Sequence, residues 1–141
     1  MNIAFISCVK EKRIGKYKSK DLYTSDFFRK SFRYCCSKYD KVFILSAKYG
    51  LLELEDEIEN YEMTLNDFSK EEKIKWSEMV YEQMKNKIDD SDELYFYVGN
   101  NYREYLLPML KNNWNVTLNG KGIWEQLQYF KNNTETNHEF F

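Results

Sequence analysis

Short apolar runs that alternate with segments of helical periodicity are the feature that most constrains how this chain of 141 residues folds. Three runs of apolar and aromatic residues cover Asn2–Ser7, Lys41–Ser46 and Glu93–Gly99, and a weaker run covers Asn115–Leu118. Near-continuous apolar runs of this length are typical of strands that are buried on both faces of a sheet. The sequence therefore predicts four strands.

Helical patterns fill the stretches between these runs, where apolar residues recur at spacings of three and four. Ser69 followed by Glu72 is also a capping-box pattern, which predicts a helix start. The predicted helices cover residues 25–38, 69–87, 102–110 with a bend at Pro108, and a segment that begins at Gly122. We therefore expect an α/β fold with a mostly parallel sheet of about four strands, flanked by helices in a Rossmann-like three-layer arrangement.

The chain has the length and composition of one domain. Its 12 Tyr, 10 Phe and 3 Trp supply enough large rings for a sizeable core. We expect a single domain over residues 1–131 and a mobile tail over residues 132–141, where no pattern is visible. No run approaches the roughly 18 apolar residues of a membrane span, and the start lacks a signal-peptide pattern, so we expect a cytoplasmic protein.

Cysteine and histidine counts exclude several kinds of site. There are three Cys, two of them adjacent, and one His, His138, near the end of the chain. Neither a disulfide framework nor a Cys/His zinc site is expected, and we predict no metal and no cofactor. The glycine patterns of P-loops and of dinucleotide-binding folds are absent. Any chemistry is expected to use Lys, Tyr, Ser, Cys or carboxylate side chains.

Charge is distributed unevenly although the net charge is only −2. Residues 1–50 carry 12 Lys and Arg against 4 Asp and Glu, whereas residues 51–100 carry 5 against 15. Such asymmetry indicates either an anionic partner for the N-terminal third or an attraction between the two segments within the molecule. The sequence leaves both interpretations open.

Small polar residues follow three of the predicted strands. The carboxyl ends of parallel strands meet at one edge of a sheet, and ligands of open α/β sheets bind in the crevice outside that edge. We therefore expect these residues to converge on a binding site. They are Ser7, Cys8, Lys10 and Lys12 after the first strand, Ser46, Lys48, Tyr49 and Gly50 after the second, and Asn100 after the third.

Each of these features has two interpretations. Cys8 is either a small core residue or a nucleophile whose thiolate Lys10 and Lys12 would stabilise. The basic loop that follows is either solvated or in contact with phosphate. Ser25 is either the N-cap of the next helix or part of an anion site at its start. The acidic stretch 53–62 is either a solvated loop or the source of an acid/base carboxylate.

The motifs ISCVKEK, DLYTSDFFRK, ILSAKYGLLE and ENYEMTL, in this order, resemble the YaaA-like superfamily. Residues 6–10 are similar to the I-S-P-A-K motif of the YaaA peroxide-stress proteins, with two differences. Residues 45–52 are similar to their L-S-G-x-Y-G-x-L segment. Tyr61 and Leu65 match the P-Y-x-x-x-[LM] segment, with Asn60 where proline is usual.

A second resemblance is to the catalytic core of archaeosine synthase. Its P-C-x-x-x-K and Y-x-x-S elements are similar to Cys8 with Lys12, and to Tyr23 with, one position early, Ser25. The segment LNGKGIWEQLQYF also resembles the closing G-x-G-x-x-x-Q-L helix of small YaaA-like members. Together these resemblances cover residues 2–130.

The resemblance implies a domain that handles nucleobases or nucleic acid. We expect a protein that processes a nucleobase, a nucleotide or a base within nucleic acid without metal, as a base-modifying transferase or an enzyme that cleaves an N-glycosidic bond. Two alternatives are a non-catalytic stress or phage protein that binds nucleic acid or nucleotide, and an interaction factor that uses its acidic 51–100 surface. The expected catalytic residues are Cys8, Lys12 and Glu62, and the expected substrate-binding residues are Ser7, Lys10, Tyr23, Ser25, Ser46, Lys48, Tyr49, Gly50, Tyr61 and Asn100.

Overall fold

A computed structural model describes residues 1–7, 12–118 and 120–134, except for the side chain of Ile123. The strands are β1 (Asn2–Ser7), β2 (Lys16–Lys18), β3 (Lys41–Ser46), β4 (Gly50–Leu52), β5 (Glu57–Glu59), β6 (Glu93–Tyr97) and β7 (Trp114–Val116). The helices are α1 (Ser19–Leu22), α2 (Asp26–Lys38), α3 (Lys70–Lys85), α4 (Asn100–Arg103) and α5 (Ile123–Asn133), with 3-10 turns at Leu65–Asp67 and Leu107–Met109.

Five strands form the main sheet in the order β4-β3-β1-β6-β7. Strands β3, β1, β6 and β7 run parallel, and β4 returns antiparallel beside β3. In the centre, Phe5 lies in register with Phe43 on one side and Phe96 on the other. The Phe5 and Phe96 rings stack with centroids 4.6 Å apart. The expected α/β fold with a mostly parallel sheet is confirmed.

Each face of the sheet packs against its own layer of helices. Successive strand residues point to opposite faces, so Phe5 joins one core while Ala4 and Ile6 join the other. The first core includes Trp76 of α3, and the second includes residues of α2 and α5, such as Phe130. The three-layer arrangement predicted from the sequence is therefore also confirmed.

Three short strands were not predicted. Gly50 adopts φ of +75°, which L side chains rarely adopt, and this turn brings β4 back beside β3. Strands β2 and β5 form a separate two-stranded sheet within what the sequence predicts as loops. Lys16 lies opposite Glu59 and Lys18 opposite Glu57 in this ribbon, so opposite charges face each other across it.

The helix predicted over residues 102–110 is wrong. Only α4 is α-helical there, and the 3-10 turn that follows contains Pro108. Proline has no N–H to donate and its ring clashes with the preceding turn, so an α-helix does not continue through it. The apolar residues of this segment still reach the core, since Leu106 and Leu107 are buried.

The chain ends are described only in part. Helix α5 extends to Asn133, two residues past the domain boundary predicted at residue 131. The rest of the predicted tail, residues 135–141, lies outside the described residues. Within residues 1–7, 12–118 and 120–134, no helix combines the length and the apolar character that crossing a bilayer requires.

Candidate functional site at the carboxyl edge of the sheet

The strand order creates a crevice between β1 and β6. Strand β1 is followed by α2 on one face of the sheet, and β6 is followed by residues that pack on the other face. Connections that diverge in this way leave an opening at the carboxyl edge, where open α/β sheets bind ligands. A hollow of about 310 Å³ lies there, which we call the switch-point hollow. Its borders include Ser7, Phe27, Tyr97, Asn100, Arg103, Thr117, Lys121 and Gln126.

Two cations border the switch-point hollow. The Arg103 guanidinium is anchored by a hydrogen bond from Nη1 to the Val98 carbonyl oxygen, at 2.9 Å. Lys121 precedes α5, and its Nζ lies 4.0 Å from a carboxylate oxygen of Glu125. Half of the Lys121 side chain is exposed, so its ammonium group is free to turn towards a ligand. Two positive groups at one opening favour an anionic ligand.

Neutral polar groups and rings complete the lining. The buried hydroxyl of Thr117 meets no hydrogen-bond partner of suitable geometry among the described residues. Phe27 packs edge-on against Phe130, with ring centroids 6.0 Å apart. Burial raises the pKa of Tyr97 well above its ordinary value, and its hydroxyl is hydrogen-bonded to Tyr39. Tyr97 therefore stays a neutral phenol. It lines the hollow and does not act as a general base.

Other predicted site residues form a buried chain of hydroxyl groups instead. Ser46 Oγ donates to the Tyr61 hydroxyl at 2.8 Å, and the Tyr61 and Tyr23 hydroxyls are also 2.8 Å apart. The Tyr49 backbone N–H donates to Ser46 Oγ at 3.1 Å. The Lys12 ammonium lies 4.5 Å from the centroid of the Tyr61 ring. We call Tyr23, Ser46 and Tyr61 the hydroxyl chain.

The hydroxyl chain is part of the core rather than of an open site. Tyr23, Ser46 and Tyr61 are 2%, 0% and 7% exposed. The Ser46 carbonyl oxygen accepts a further hydrogen bond from the Trp76 indole N–H, at 3.0 Å. The chain thus ties the end of β3 to the segments before α2 and after β5. The three residues lie together, but none of them borders the switch-point hollow, and their role in substrate binding stays a prediction.

The remaining predicted residues have separate locations. Ser25 is the N-cap of α2, since its Oγ accepts a hydrogen bond from the Phe28 N–H. Lys48 and Glu62 are exposed, and neither borders the switch-point hollow. Cys8 and Lys10 lie outside the described residues.

Close packing against α3 is a second reason, besides the positive φ, why position 50 requires glycine. A Cβ atom at Gly50 would lie 2.3 Å from Gln83 Oε1 and 2.8 Å from Met79 Cε. Gln83 Oε1 accepts from the Leu51 N–H at 2.8 Å, and Gln83 Nε2 donates to the Tyr49 carbonyl oxygen at 3.1 Å. Gln83 of helix α3 therefore binds the β3–β4 turn on both sides of Gly50. Only glycine at position 50 leaves room for the Gln83 side chain at this distance.

Sequence reasoning missed most of the residues that border the hollow, in part because it followed only the first three strands to their ends. Applying the same rule to the fourth strand would have pointed to the residues after β7. The G-K-G-x-x-x-Q segment before and within α5 was noted only as part of a resemblance. The missed residues include Phe27, Tyr97, Arg103, Thr117, Lys121 and Gln126.

The two described thiols are in the unreactive, protonated form. Burial raises the pKa of Cys36 to about 11 and raises that of Cys35 well above its ordinary value, so both stay protonated at neutral pH. Within the described part of the chain, no group of three or more His, Cys, Asp or Glu side chains is arranged to hold a metal ion.

Part of the basic segment is neutralised within the molecule. Glu55 accepts from both Lys18 and Lys20, each with an N–O distance of 2.7 Å. These two hydrogen bonds lower the pKa of Glu55 to about 2. Glu53 is likewise bonded by Lys41 at 3.0 Å. For these cations the structure supports attraction between the two oppositely charged segments of the chain.

Comparison with known proteins places the whole domain in one family of sequences. Residues 3–132 match the model of a family described as "Family of unknown function (DUF6884)". The chain is also similar to "Uncharacterized protein YfjM" of Bacillus subtilis (strain 168), with 29% identity over 130 residues. That match covers 89% of this chain and 85% of the relative. Both the switch-point hollow and the hydroxyl chain fall within the matched residues.

Proposed function

We propose that this chain, which belongs to the DUF6884 family of unknown function, is a nucleotide-binding protein whose ligand occupies the switch-point hollow. The observation that carries the proposal is that two cations and a partly buried aromatic ring border one opening at the carboxyl edge of a parallel sheet. This is the position at which α/β sheets of this strand order bind nucleotide-like ligands.

The two cations suit the phosphate of such a ligand. Arg103 borders the hollow, and a hydrogen bond from Nη1 to the Val98 carbonyl oxygen at 2.9 Å holds its guanidinium group in place. Planar guanidinium groups bind phosphate with paired hydrogen bonds, and a Lys ammonium adds a mobile point charge. Lys121, which precedes α5, borders the same hollow. A phosphate in this hollow would therefore meet two positive groups.

The rest of the lining suits a sugar and a base. Phe27 offers a ring on which a planar base can stack. Ser7, Asn100 and the Thr117 hydroxyl supply donors and acceptors for the edge of a base or a ribose. The volume of about 310 Å³ lies at the lower end of the range usual for ligand pockets, roughly 300–1,000 Å³. A mononucleotide therefore fits better than a dinucleotide cofactor.

Base processing is the further step of this proposal. The resemblance to YaaA-like proteins supports a ligand of the nucleobase class, and Cys8 directly follows Ser7 in the sequence. The catalytic roles of Cys8, Lys12 and Glu62 stay predictions. The Lys12 ammonium group lies over the face of the Tyr61 ring, and this cation–π contact favours a structural role for it.

Binding is tested by calorimetric titration and thermal shift with a panel of mononucleotides and the matching nucleosides. We expect a mononucleotide to raise the melting temperature and the nucleoside to bind more weakly. Losing one charge-assisted contact costs about 1.5–3 kcal/mol, so Arg103→Gln and Lys121→Gln should each weaken nucleotide binding about 10- to 100-fold. Lys131→Gln is the control, because Lys131 is an exposed cation of α5 that does not border the hollow.

Two results contradict the proposal. One is a wild-type melting temperature that no nucleotide shifts at millimolar concentration. The other is an equal loss of affinity in Lys131→Gln and Lys121→Gln, which would show that general charge rather than the switch-point hollow governs binding.

A further inference from the structure

A second, smaller hollow lies on the other side of the N-terminal part of α2. Its volume is about 130 Å³, and three arginines line it together with Lys20, whose ammonium group is already paired with Glu55 at 2.7 Å; the arginines are Arg13, Arg29 and Arg33. Asp21 is the one carboxylate among the described residues that line it. We call it the arginine hollow. Phe27 borders the switch-point hollow and Phe28 the arginine hollow, so the first turn of α2 separates the two.

The fold itself gathers these cations. Arg29 and Arg33 are four residues apart on α2 and therefore share one face of the helix. Arg13 comes from the segment before β2, where its backbone N–H bonds the Leu22 carbonyl oxygen at 2.8 Å. Its Nε donates to the Asp21 carbonyl oxygen at 3.1 Å, which fixes the direction of the guanidinium. A neutral backbone oxygen accepts this bond, so the contact leaves the positive charge of Arg13 uncompensated.

Bringing like charges together costs free energy unless an anion joins them. The cost is enhanced here because the floor of the arginine hollow is apolar. The Tyr23 and Phe28 rings are buried and lie with centroids 5.1 Å apart, and Phe28 stacks on Phe32 at 5.9 Å. A low-dielectric floor weakens screening and concentrates the positive potential in the opening. An anion bound there gains from the same effect.

The size and the donors of the arginine hollow select the anion. At about 130 Å³ it falls well below the roughly 300 Å³ at which pockets begin to hold whole small-molecule ligands, so it admits a single compact group. Guanidinium forks bind phosphate and carboxylate oxygens in pairs, but phosphate offers more oxygens and up to two negative charges, which suits a site lined by three guanidinium groups. We propose that the arginine hollow binds one phosphate group, independently of the switch-point hollow.

Inorganic phosphate is the probe for this site, added at constant ionic strength with chloride as the reference anion. We expect phosphate to raise the wild-type melting temperature more than chloride does, with an affinity that Arg29→Gln weakens about tenfold or more. Arg29 is exposed, so this variant is expected to fold normally. The control is Lys30→Gln, which removes a neighbouring cation that pairs with Asp26 at 2.9 Å outside the hollow.

The outcomes separate this site from the proposed nucleotide site. If Lys121→Gln abolishes the phosphate response while Arg29→Gln preserves it, phosphate binds the switch-point hollow and the arginine hollow proposal is wrong. An equal loss in Arg29→Gln and Lys30→Gln overturns it as well. If nucleotide fails to bind wild-type protein but the phosphate response depends on Arg29, the proposal of nucleotide binding fails and this one is supported.

A second arm identifies the source of the phosphate. Short single-stranded oligonucleotides without terminal phosphates present only diesters, whereas a simple phosphate monoester such as glycerol phosphate presents a dianion. Competition of each against inorganic phosphate, compared between wild type and Arg29→Gln, shows which source the hollow takes. If neither competes through Arg29 while inorganic phosphate binds, free phosphate is the source; if inorganic phosphate does not bind through Arg29 either, the proposal is wrong.

Discussion

Three buried hydroxyls meet at the end of β3, and Tyr61 is the one that joins the other two. Its oxygen accepts from Ser46 Oγ and lies 2.8 Å from the Tyr23 hydroxyl. Buried polar groups that lose a partner cost about 1–3 kcal/mol, because water cannot replace the lost bond. We therefore expect Tyr61→Phe to lower the free energy of unfolding by about 1–3 kcal/mol, measured by urea denaturation.

Tyr17→Phe is the matched control for this change. Tyr17 is 38% exposed on the β2–β5 ribbon, so its hydroxyl is free to bond water in the folded and unfolded states alike. Its loss should change the unfolding free energy by less than about 0.5 kcal/mol. A Tyr61→Phe variant as stable as Tyr17→Phe would show that the hydroxyl chain contributes nothing to stability. Its three members would then be better candidates for a functional role.

At the scale of elements, helix α1 and the β2–β5 ribbon are joined to the turn that follows β4. The Ser19 N–H bonds the Asp56 carbonyl oxygen at 2.7 Å, and the Lys20 N–H bonds the Leu54 carbonyl oxygen at 3.2 Å. Glu55 lies between these two contacts and accepts from the ammonium groups of Lys18 and Lys20. The turn and the N-terminal ribbon therefore dock through backbone bonds and one shared carboxylate.

This docking should depend on pH through Glu55. Its pKa is lowered from 4.5 to about 2, so the ionised form is favoured in the folded state. The stabilisation is fully present above pH 4.5 and is lost as the pH falls from about 4.5 to about 2. We expect the difference in melting temperature between wild type and Glu55→Gln to shrink over that interval.

The control for this titration is Glu59→Gln, which removes an exposed carboxylate from β5 of the same ribbon. Its melting temperature is expected to follow the wild-type pH profile. A difference between wild type and Glu55→Gln that stays constant from pH 7 to pH 2 would show that the two lysines do not depend on this carboxylate.

Helices and strands could be predicted from the sequence where enough consecutive residues are buried to give a clear pattern of apolar residues. Strand β1 has four consecutive buried residues and β3 has five, and the capping box at Ser69 marks the start of α3 within a residue. Strands of three residues give little or no periodic pattern, which is why β2, β4 and β5 were missed and why β7, predicted at Asn115–Leu118, lies at Trp114–Val116 instead. The apolar residues of the segment 102–110 have helical spacing although most of the segment is not α-helical. They are apolar because they contact the core.

The order of strands in the whole molecule decides which of the predicted site residues meet, and no local pattern contains that order. Ser7 ends next to β6 and therefore borders the switch-point hollow together with Asn100. Ser46 ends on the other side of β1, where Tyr61 and Trp76 cover it. Sequence reasoning predicted a site at the carboxyl edge of the sheet, but it could not show which residues of that edge are buried and which border an open hollow.

Charge is also a property of the whole molecule, and the structure shows its two halves in contact. Ion pairs cross from the first 50 residues to the next 50 at Lys18 and Lys20 with Glu55, at Lys41 with Glu53, and at the N-terminal ammonium with Asp92. If attraction between these segments dominates, added salt should destabilise the fold, because screening shortens the reach of exposed charges from about 30 Å at 0.01 M to below 10 Å above 0.15 M.

We therefore expect the melting temperature to fall by about 3 °C between 10 mM and 500 mM NaCl, which corresponds to somewhat less than 1 kcal/mol for a domain of this size. The fall should be smaller in Glu55→Gln, which lacks the carboxylate that two lysines share. Repulsion within an unpaired basic segment would give the opposite sign, since screening relieves it. A melting temperature that rises with NaCl would therefore contradict internal pairing. It would favour the other interpretation, in which the basic segment binds an anionic partner.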